Sequence, residues 1–264
     1  MKRKLYTKSY DMDILKEIDN GGGLFTAQEH AWSSEKQIGN TFLKTKDDLF
    51  CHLFRDLLQG NLGAYPPLQF FKEYVITNQY KNVLSLGSGS CLNEYLLKVS
   101  LPGDVTIVAA DFDDYLIKKA GQFFPEIIPV TFDFCKDEVS DLENKLKLKF
   151  DIAVFFASAY IMDDFLFIKT FRRLKDSGVR EIMDFHAGYI DLRSFITYLS
   201  TPLTKNNFVR KLFGKPLVGK NDCAGKFHGY ARSRSELRSL YKRSGLKIIK
   251  ELSIGNYKYV AILR

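Results

Sequence analysis

Asn82 to Cys91, NVLSLGSGSC, is the stretch whose reading decides the fold. Val83, Leu84 and Leu86 read as a buried strand. Gly87 and Gly89 then form a turn where backbone can approach a ligand that a Cβ would strike. Downstream, Val105 to Ala110 (VTIVAA) reads as a second strand, closed by Asp111. A carboxylate at the end of such a strand can accept both hydroxyl protons of a ribose, so turn and acid together describe a nucleoside crevice.

Working outward, strands and helices alternate from Asn82 to about residue 187, which predicts a parallel sheet with helices on both faces. Strands are expected at Val83–Leu86, Val105–Ala110, Ile127–Phe132, Ile152–Phe156 and Glu181–Phe185. Helices are expected at Leu92–Val99, Tyr115–Phe123 and Phe165–Lys175. Lys247–Ile254 and Tyr257–Leu263 are two further apolar strands joined by Gly255 and Asn256, a hairpin signal that makes the last strands antiparallel. The first 80 residues read as a helical N-terminal arm or cap. In it, Asp47–Leu58 is amphipathic, Pro66 and Pro67 open another helix, and the triplet Gly21–Gly23 forms a hinge.

The chain has 264 residues, of which 45% are hydrophobic, enough for one enzyme-sized core. No run is long enough to span a membrane, and MKRKLYTKSYDMD is too polar for a secretory signal, so a cytoplasmic location is expected. Cys51, Cys91, Cys135 and Cys223 form no CxxC pair, which points to buried free thiols; no disulfide framework and no metal site is expected. The net charge of +8 is concentrated late: Lys205 to Lys250 holds 13 Lys and Arg against Asp222 and Glu236. Such a concentration can steer an anionic partner.

The order of strand, LGSGS turn, acid-ended second strand, Asp133-Phe134 after the third strand and closing hairpin resembles the class I S-adenosylmethionine-dependent methyltransferases. The resemblance covers roughly residues 81–264. It implies an α/β, Rossmann-like domain with a seven-stranded, mostly parallel sheet of order 3-2-1-4-5-7-6, the terminal hairpin supplying strands 6 and 7. A dinucleotide site would ask for GxGxxG, whereas Gly87 and Gly89 are followed by Ser90, Cys91 and Leu92. A sulfonium nucleoside carries no pyrophosphate and tolerates the missing third glycine.

By that resemblance, Gly87, Ser88 and Gly89 lie against the methionine and ribose portions of S-adenosylmethionine, with Asp111 on the ribose hydroxyls. Phe112 lies along the adenine, Asp133 accepts from its amino group, Phe134 offers a backbone amide, and Ala157 closes the far side. Two positions depart from the family pattern. Ser85 stands where an acid is usual and Cys91 where a third glycine is usual, so Glu94 or an acid of the N-terminal arm is the candidate for the missing charge.

Methyl transfer from a sulfonium is mainly a matter of in-line positioning, but an oxygen or nitrogen acceptor must also lose a proton. His186, after the fifth strand, and His228, in the basic segment, are the candidate bases, with Asp163 and Asp164 as further acids. His30 and His52 read as structural or surface residues. Residues 188–245 form a basic lid insertion in which Tyr189, Phe195, Tyr198, Phe208, Phe213, Phe227 and Tyr230 alternate with cations, a composition suited to a sugar-containing or anionic acceptor. Inside it, Ser233 and Glu236 form a capping box that opens a helix. The function implied is methyl transfer to a small molecule. One alternative is an RNA methyltransferase whose basic segment tracks phosphates, although the chain lacks N-P-P-Y, D-P-P-Y and Pro-Cys motifs. Another is a noncatalytic binding protein that retains the fold, a reading that Ser85 and Cys91 permit.

Overall fold

Five parallel strands run through the middle of the molecule because their sequences are apolar on both faces, which only a sheet covered on two sides can accommodate. The computed structural model describes residues 3–6, 65–189, 227–255 and 257–264. Its strands are β1 (Arg3–Tyr6), β2 (Asn82–Leu86), β3 (Thr106–Asp111), β4 (Ile128–Thr131), β5 (Ile152–Phe156), β6 (Glu181–Phe185), β7 (Phe227–Ala231), β8 (Ile248–Ile254) and β9 (Tyr257–Leu263). The helices are α1 (Tyr65–Thr77), α2 (Leu92–Ser100), α3 (Asp114–Phe123), α4 (Val139–Leu146), α5 (Asp164–Asp176) and α6 (Arg234–Arg243), with a short 3-10 turn at Ala159–Ile161.

The large sheet has the order β4-β3-β2-β5-β6-β9-β8. Counting only its own strands along the chain, this is 3-2-1-4-5-7-6, the expected order. β2 pairs in parallel with β3 and β5, while β9 lies antiparallel to both β6 and β8. Gly255 adopts φ +55°, the left-handed conformation that the hairpin turn requires.

Alternation along each strand divides the core between the two faces. Leu84, Leu86, Val108 and Ala110 pack against α4, α5 and α6 through Leu142, Phe167, Phe171, Leu237 and Tyr241. Val83, Ile107 and Ala109 face α1, α2 and α3 through Phe71, Val75, Leu97, Leu116 and Ala120. Leu68, Phe71 and Val75, at helical spacing, seat α1 directly on the sheet. The helices start where short polar caps stand. Asp163 Oδ1 accepts from the Leu166 amide at 2.8 Å, and Ser233 and Glu236 form the anticipated capping box on α6.

A second, two-stranded sheet pairs β1 antiparallel to β7. Helical character was expected for the N-terminal arm, but Arg3–Tyr6 is extended, because its hydrogen-bonding partner lies some 220 residues away, beyond the reach of any local pattern. The Asp47–Leu58 helix, the Gly21–Gly23 hinge, Cys51, Cys223, His30 and His52 lie outside the described residues. Cys91 and Cys135 are buried free thiols. Among the described residues no helix is long and apolar enough to cross a membrane.

One buried carboxylate ties the sheet's interior to α1 and the chain end. Glu181, only 1% exposed, accepts from Tyr74 Oη, Tyr80 Oη and Arg264 Nε, each at 2.6 Å. Glu181→Ala removes the acceptor of all three and leaves two tyrosine hydroxyls stranded, so urea unfolding should show a loss of about 3 kcal/mol. Ser233→Ala should cost about 1 kcal/mol in the same measurement.

Candidate functional site

The turn after β2 is held from two sides. The Gly87 and Ser88 amides donate to the Ala110 carbonyl at 2.8 and 3.1 Å, which ties the turn to the end of β3. From the other side, Ser158 Oγ donates to the Leu86 carbonyl at 2.5 Å. Gly87 adopts φ +75°, and a Cβ there would stand 2.4 Å from the Ser158 Cβ. Only glycine lets the turns after β2 and β5 meet this closely. Gly89, at φ +54°, is different, because nothing lies within 4 Å of where its Cβ would be, so its bare backbone faces open space. Cys91, where a third glycine is usual, still takes a glycine-like φ of +59°, with its amide donating to the Ser88 carbonyl at 2.9 Å. The turn keeps its shape without that glycine.

Asp111 reaches this turn directly. Its Oδ2 accepts from the Gly89 amide at 2.8 Å and its Oδ1 from the Asp113 amide at 3.0 Å. Burial pushes the Asp111 carboxyl up to about 6, against the backbone amides that favour its charge. Asp113, not Asp111, caps α3, accepting from the Tyr115 and Leu116 amides at 3.1 and 3.2 Å. Asp111 is thus held by the glycine turn and kept out of helix capping.

The remaining cofactor-side candidates come from neighbouring strand ends. Half-buried Phe112 follows Asp111. Asp133 Oδ1 accepts from the Cys135 amide at 2.9 Å, and its other oxygen pairs with Lys136 at 3.3 Å. The Phe134 ring lies edge-on to Phe155, with Cε1 3.4 Å from where a Gly87 Cβ would be, and so forms part of the floor beneath the turn. Ala157 has φ +57°, and its amide donates to the Phe185 carbonyl at 3.1 Å. Gly87, Ser88, Gly89, Asp111, Phe112, Asp133, Phe134 and Ala157 therefore occupy the turns at the carboxyl ends of four adjacent parallel strands, where open α/β sheets bind ligands.

One residue of this edge was not assigned a place by sequence, and a second was named there only as a candidate for the missing charge. Ser158 has no motif to announce it; its contact with Gly87 exists only once β2 and β5 are neighbours. Glu94 on α2, 1% exposed, accepts from Ser85 Oγ at 2.6 Å through Oε1, while Oε2 has no hydrogen-bond partner. Burial pushes its carboxyl up to about 7, against the Ser85 and Ser88 hydroxyls that favour the charged form.

The two histidines are placed differently. His186 is 1% exposed, with Nδ1 3.0 Å from Asp184 Oδ2 and its ring edge-on to Phe167. The Tyr241 hydroxyl donates to the same Asp184 oxygen at 2.6 Å. His186 thus belongs to a polar cluster walled in beneath α5 and α6, and its Nε2 has no partner there. His228 lies on β7. That strand passes tightly over the turn after β5: a Cβ on Gly229 would meet Tyr160 Cδ2 at 2.3 Å, and one on Gly188 would meet the Tyr230 carbonyl oxygen at the same distance. The Arg232 amide donates to the Gly188 carbonyl at 2.7 Å, and buried Arg232 Nη2 donates to the Met162 carbonyl at 2.5 Å and pairs with Asp164 at 3.1 Å. Asp163 caps α5. Much of the basic lid, residues 190–226, lies outside the described residues.

No family model matches the sequence, and neither does any curated protein. Solved structures do match. An O-methyltransferase family protein from Burkholderia thailandensis superposes with a TM-score of 0.57 at 14% identity, over 96% of this chain and 68% of that one. The mitomycin 7-O-methyltransferase MmcR gives 0.56 at 12%, over 96% and 65%. The N,N-8-amino-8-demethyl-D-riboflavin dimethyltransferase RosA from Streptomyces davawensis gives 0.51 at 14%, over 96% and 68%. This chain thus spans about two thirds of the length of these structures. At such identities the matches establish the fold, and with the strand order above that fold is the one shared by the class I S-adenosylmethionine-dependent methyltransferases.

Proposed function

We propose that this protein is an S-adenosylmethionine-dependent methyltransferase acting on an oxygen or nitrogen of a small molecule. The observation that carries the reading is the junction of the Gly87–Gly89 turn with Asp111, joined at 2.8 Å and open on the side of Gly89. A purine nucleoside needs these parts together: backbone that lets it approach, and a carboxylate beside it for the ribose. The residues present fit the cofactor, since the turn has no Cβ in the way and both carboxyls at the edge can receive donors. When bound, S-adenosylmethionine supplies an activated methyl group; the chain binds it, orients it and excludes water.

The acceptor side is assigned by position. β7 and the turn at Ala159–Ile161 stand over the ends of β5 and β6, beside the cofactor turns. The small-molecule substrates named for the mitomycin and aminoriboflavin enzymes support a compact organic acceptor, and the cation-rich stretch from 205 to 250 supports one bearing phosphate or carboxylate. His228, on β7, is the histidine proposed to take the acceptor's proton. His186, enclosed with Asp184 and Tyr241, is a base only for an acceptor that enters that cluster.

Calorimetric titration with S-adenosylhomocysteine tests the proposal, with micromolar binding expected and no binding by folded protein overturning it. Asp111→Ala should weaken that binding at least tenfold; because it also strands the Gly89 and Asp113 amides, urea unfolding at the same temperature checks that the variant is folded. Gly87→Ala should weaken binding and lower stability by about 2 kcal/mol, through a strained φ and the clash with Ser158. Adding Ser158→Gly, which removes the opposing Cβ, should recover part of both losses.

A further inference from the structure

Ser85 and Glu94 form a polar pair inside an otherwise apolar region. Leu84 and Leu86 flank Ser85 on β2, and Cys91, Leu92 and Leu97 surround the start of α2, all fully buried or nearly so. A carboxyl in such a place costs free energy unless every oxygen finds a donor. Glu94 Oε1 has the Ser85 hydroxyl at 2.6 Å, but Oε2 has none, and no Lys or Arg forms an ion pair with Glu94 among the described residues. The Ser88 hydroxyl cannot fully serve, because it donates to the Ser85 carbonyl at 3.2 Å. An acid held beside the glycine turn with one oxygen unsatisfied is a site for a donor that the described residues do not supply.

The donor's chemistry follows from the surroundings. Asp111, at the end of β3, already has a backbone amide on each oxygen and faces the open side of Gly89. Burial pushes the Cys91 thiol and the Glu94 carboxyl up; the Glu94 charge adds to the first effect and the Asp111 charge to the second, so the three groups lie close together. Two buried carboxyls with no Lys or Arg paired to them among the described residues favour a positively charged donor over a neutral one. Resting on the cofactor reading above, we propose that Glu94, steadied by Ser85, is the counter-charge for the ammonium group at the amino-acid end of the cofactor. The negative charge then comes from the helix after the glycine turn, while the strand before it contributes only the hydroxyl that orients the acid.

Protonation gives the proposal a signature. The titratable groups facing Glu94 are Asp111 from β3, with Asp113 behind it on the turn into α3, and Cys91 at the start of α2. Without ligand, burial holds Glu94 at about 7 and Asp111 at about 6. Both are raised, so the stability that the protonated forms contribute is present at acid pH and is lost as pH rises through these values. An ammonium beside Glu94 reverses the preference and expels its proton to solvent. Near pH 7 this releases about half a proton per ligand, and affinity should rise about tenfold from pH 6 to pH 8.

The test compares S-adenosylhomocysteine with 5′-methylthioadenosine, which keeps the adenosyl thioether but lacks the ammonium. Both are titrated by calorimetry against the full chain at pH 6.5 and 8, in buffers of different ionisation enthalpy. In the unaltered protein, S-adenosylhomocysteine should bind more tightly at pH 8 with proton release, and methylthioadenosine should change less than twofold. Glu94→Gln keeps the size of the side chain and its bond to Ser85. It should weaken S-adenosylhomocysteine by ten- to a hundredfold at pH 8, flatten its pH dependence and leave methylthioadenosine within twofold. Unaltered protein that binds neither ligand overturns the cofactor reading itself. Unaltered protein that binds both with the same pH dependence overturns the role of Glu94 alone, whether or not the variant folds. So does a variant that binds S-adenosylhomocysteine undiminished, or that loses both ligands equally.

Discussion

Everything at the carboxyl edge of the sheet depends on one missing atom. Because Gly87 has no Cβ, the Ser158 side chain can occupy its place, and the turns following β2 and β5 close against each other with Phe134 beneath them. That contact fixes where the Gly87–Gly89 backbone points. The Ala110 carbonyl, accepting two amides from the turn, fixes it from the side of β3. A turn clamped in this way costs no further ordering when a ligand arrives, so binding free energy is not spent on organising the site.

The electrostatics follow from the same geometry. Drawing the turn down onto the sheet brings Asp111 and Glu94 out of water and toward each other, and burial lifts both carboxyls toward neutrality. Protons can neutralise such a buried pair. A cationic ligand does the same with greater geometric selectivity. On the proposed reading, the Ser85 hydroxyl on the strand and the Glu94 carboxyl on the helix share the task of anchoring an acid beside the turn.

Much of this was legible in the sequence wherever the signal is local. Apolar-rich runs marked all seven strands of the large sheet, Ile152–Phe156, Glu181–Phe185 and Tyr257–Leu263 to the residue. The order of the sheet came from the family resemblance that the glycine turn, the acid after the second strand and the closing hairpin carry. Ser233 and Glu236 announced α6 through their spacing. What the sequence hid are features that arise from long-range contact: Arg3–Tyr6 becomes a strand only because Phe227–Ala231 lies beside it, and Ser158 matters only because β5 neighbours β2. Cys91 breaks the glycine pattern in sequence but keeps the left-handed backbone, since its amide still has the Ser88 carbonyl to bind. His186 illustrates the opposite limit. Its position after β6 is correct for a base, yet only the fold shows that its ring turns inward to Asp184.

The pairing of β1 with β7 joins the two ends of the chain's chemistry. The amino-terminal residues are stitched to the strand that roofs the turn after β5, whereas the cofactor edge is built entirely from the middle of the chain. A substitution in Arg3–Tyr6 can therefore shift the strand that lies over the turn after β5 while leaving the Gly87–Gly89 turn and Asp111 untouched, because no hydrogen bond among the described residues joins the two.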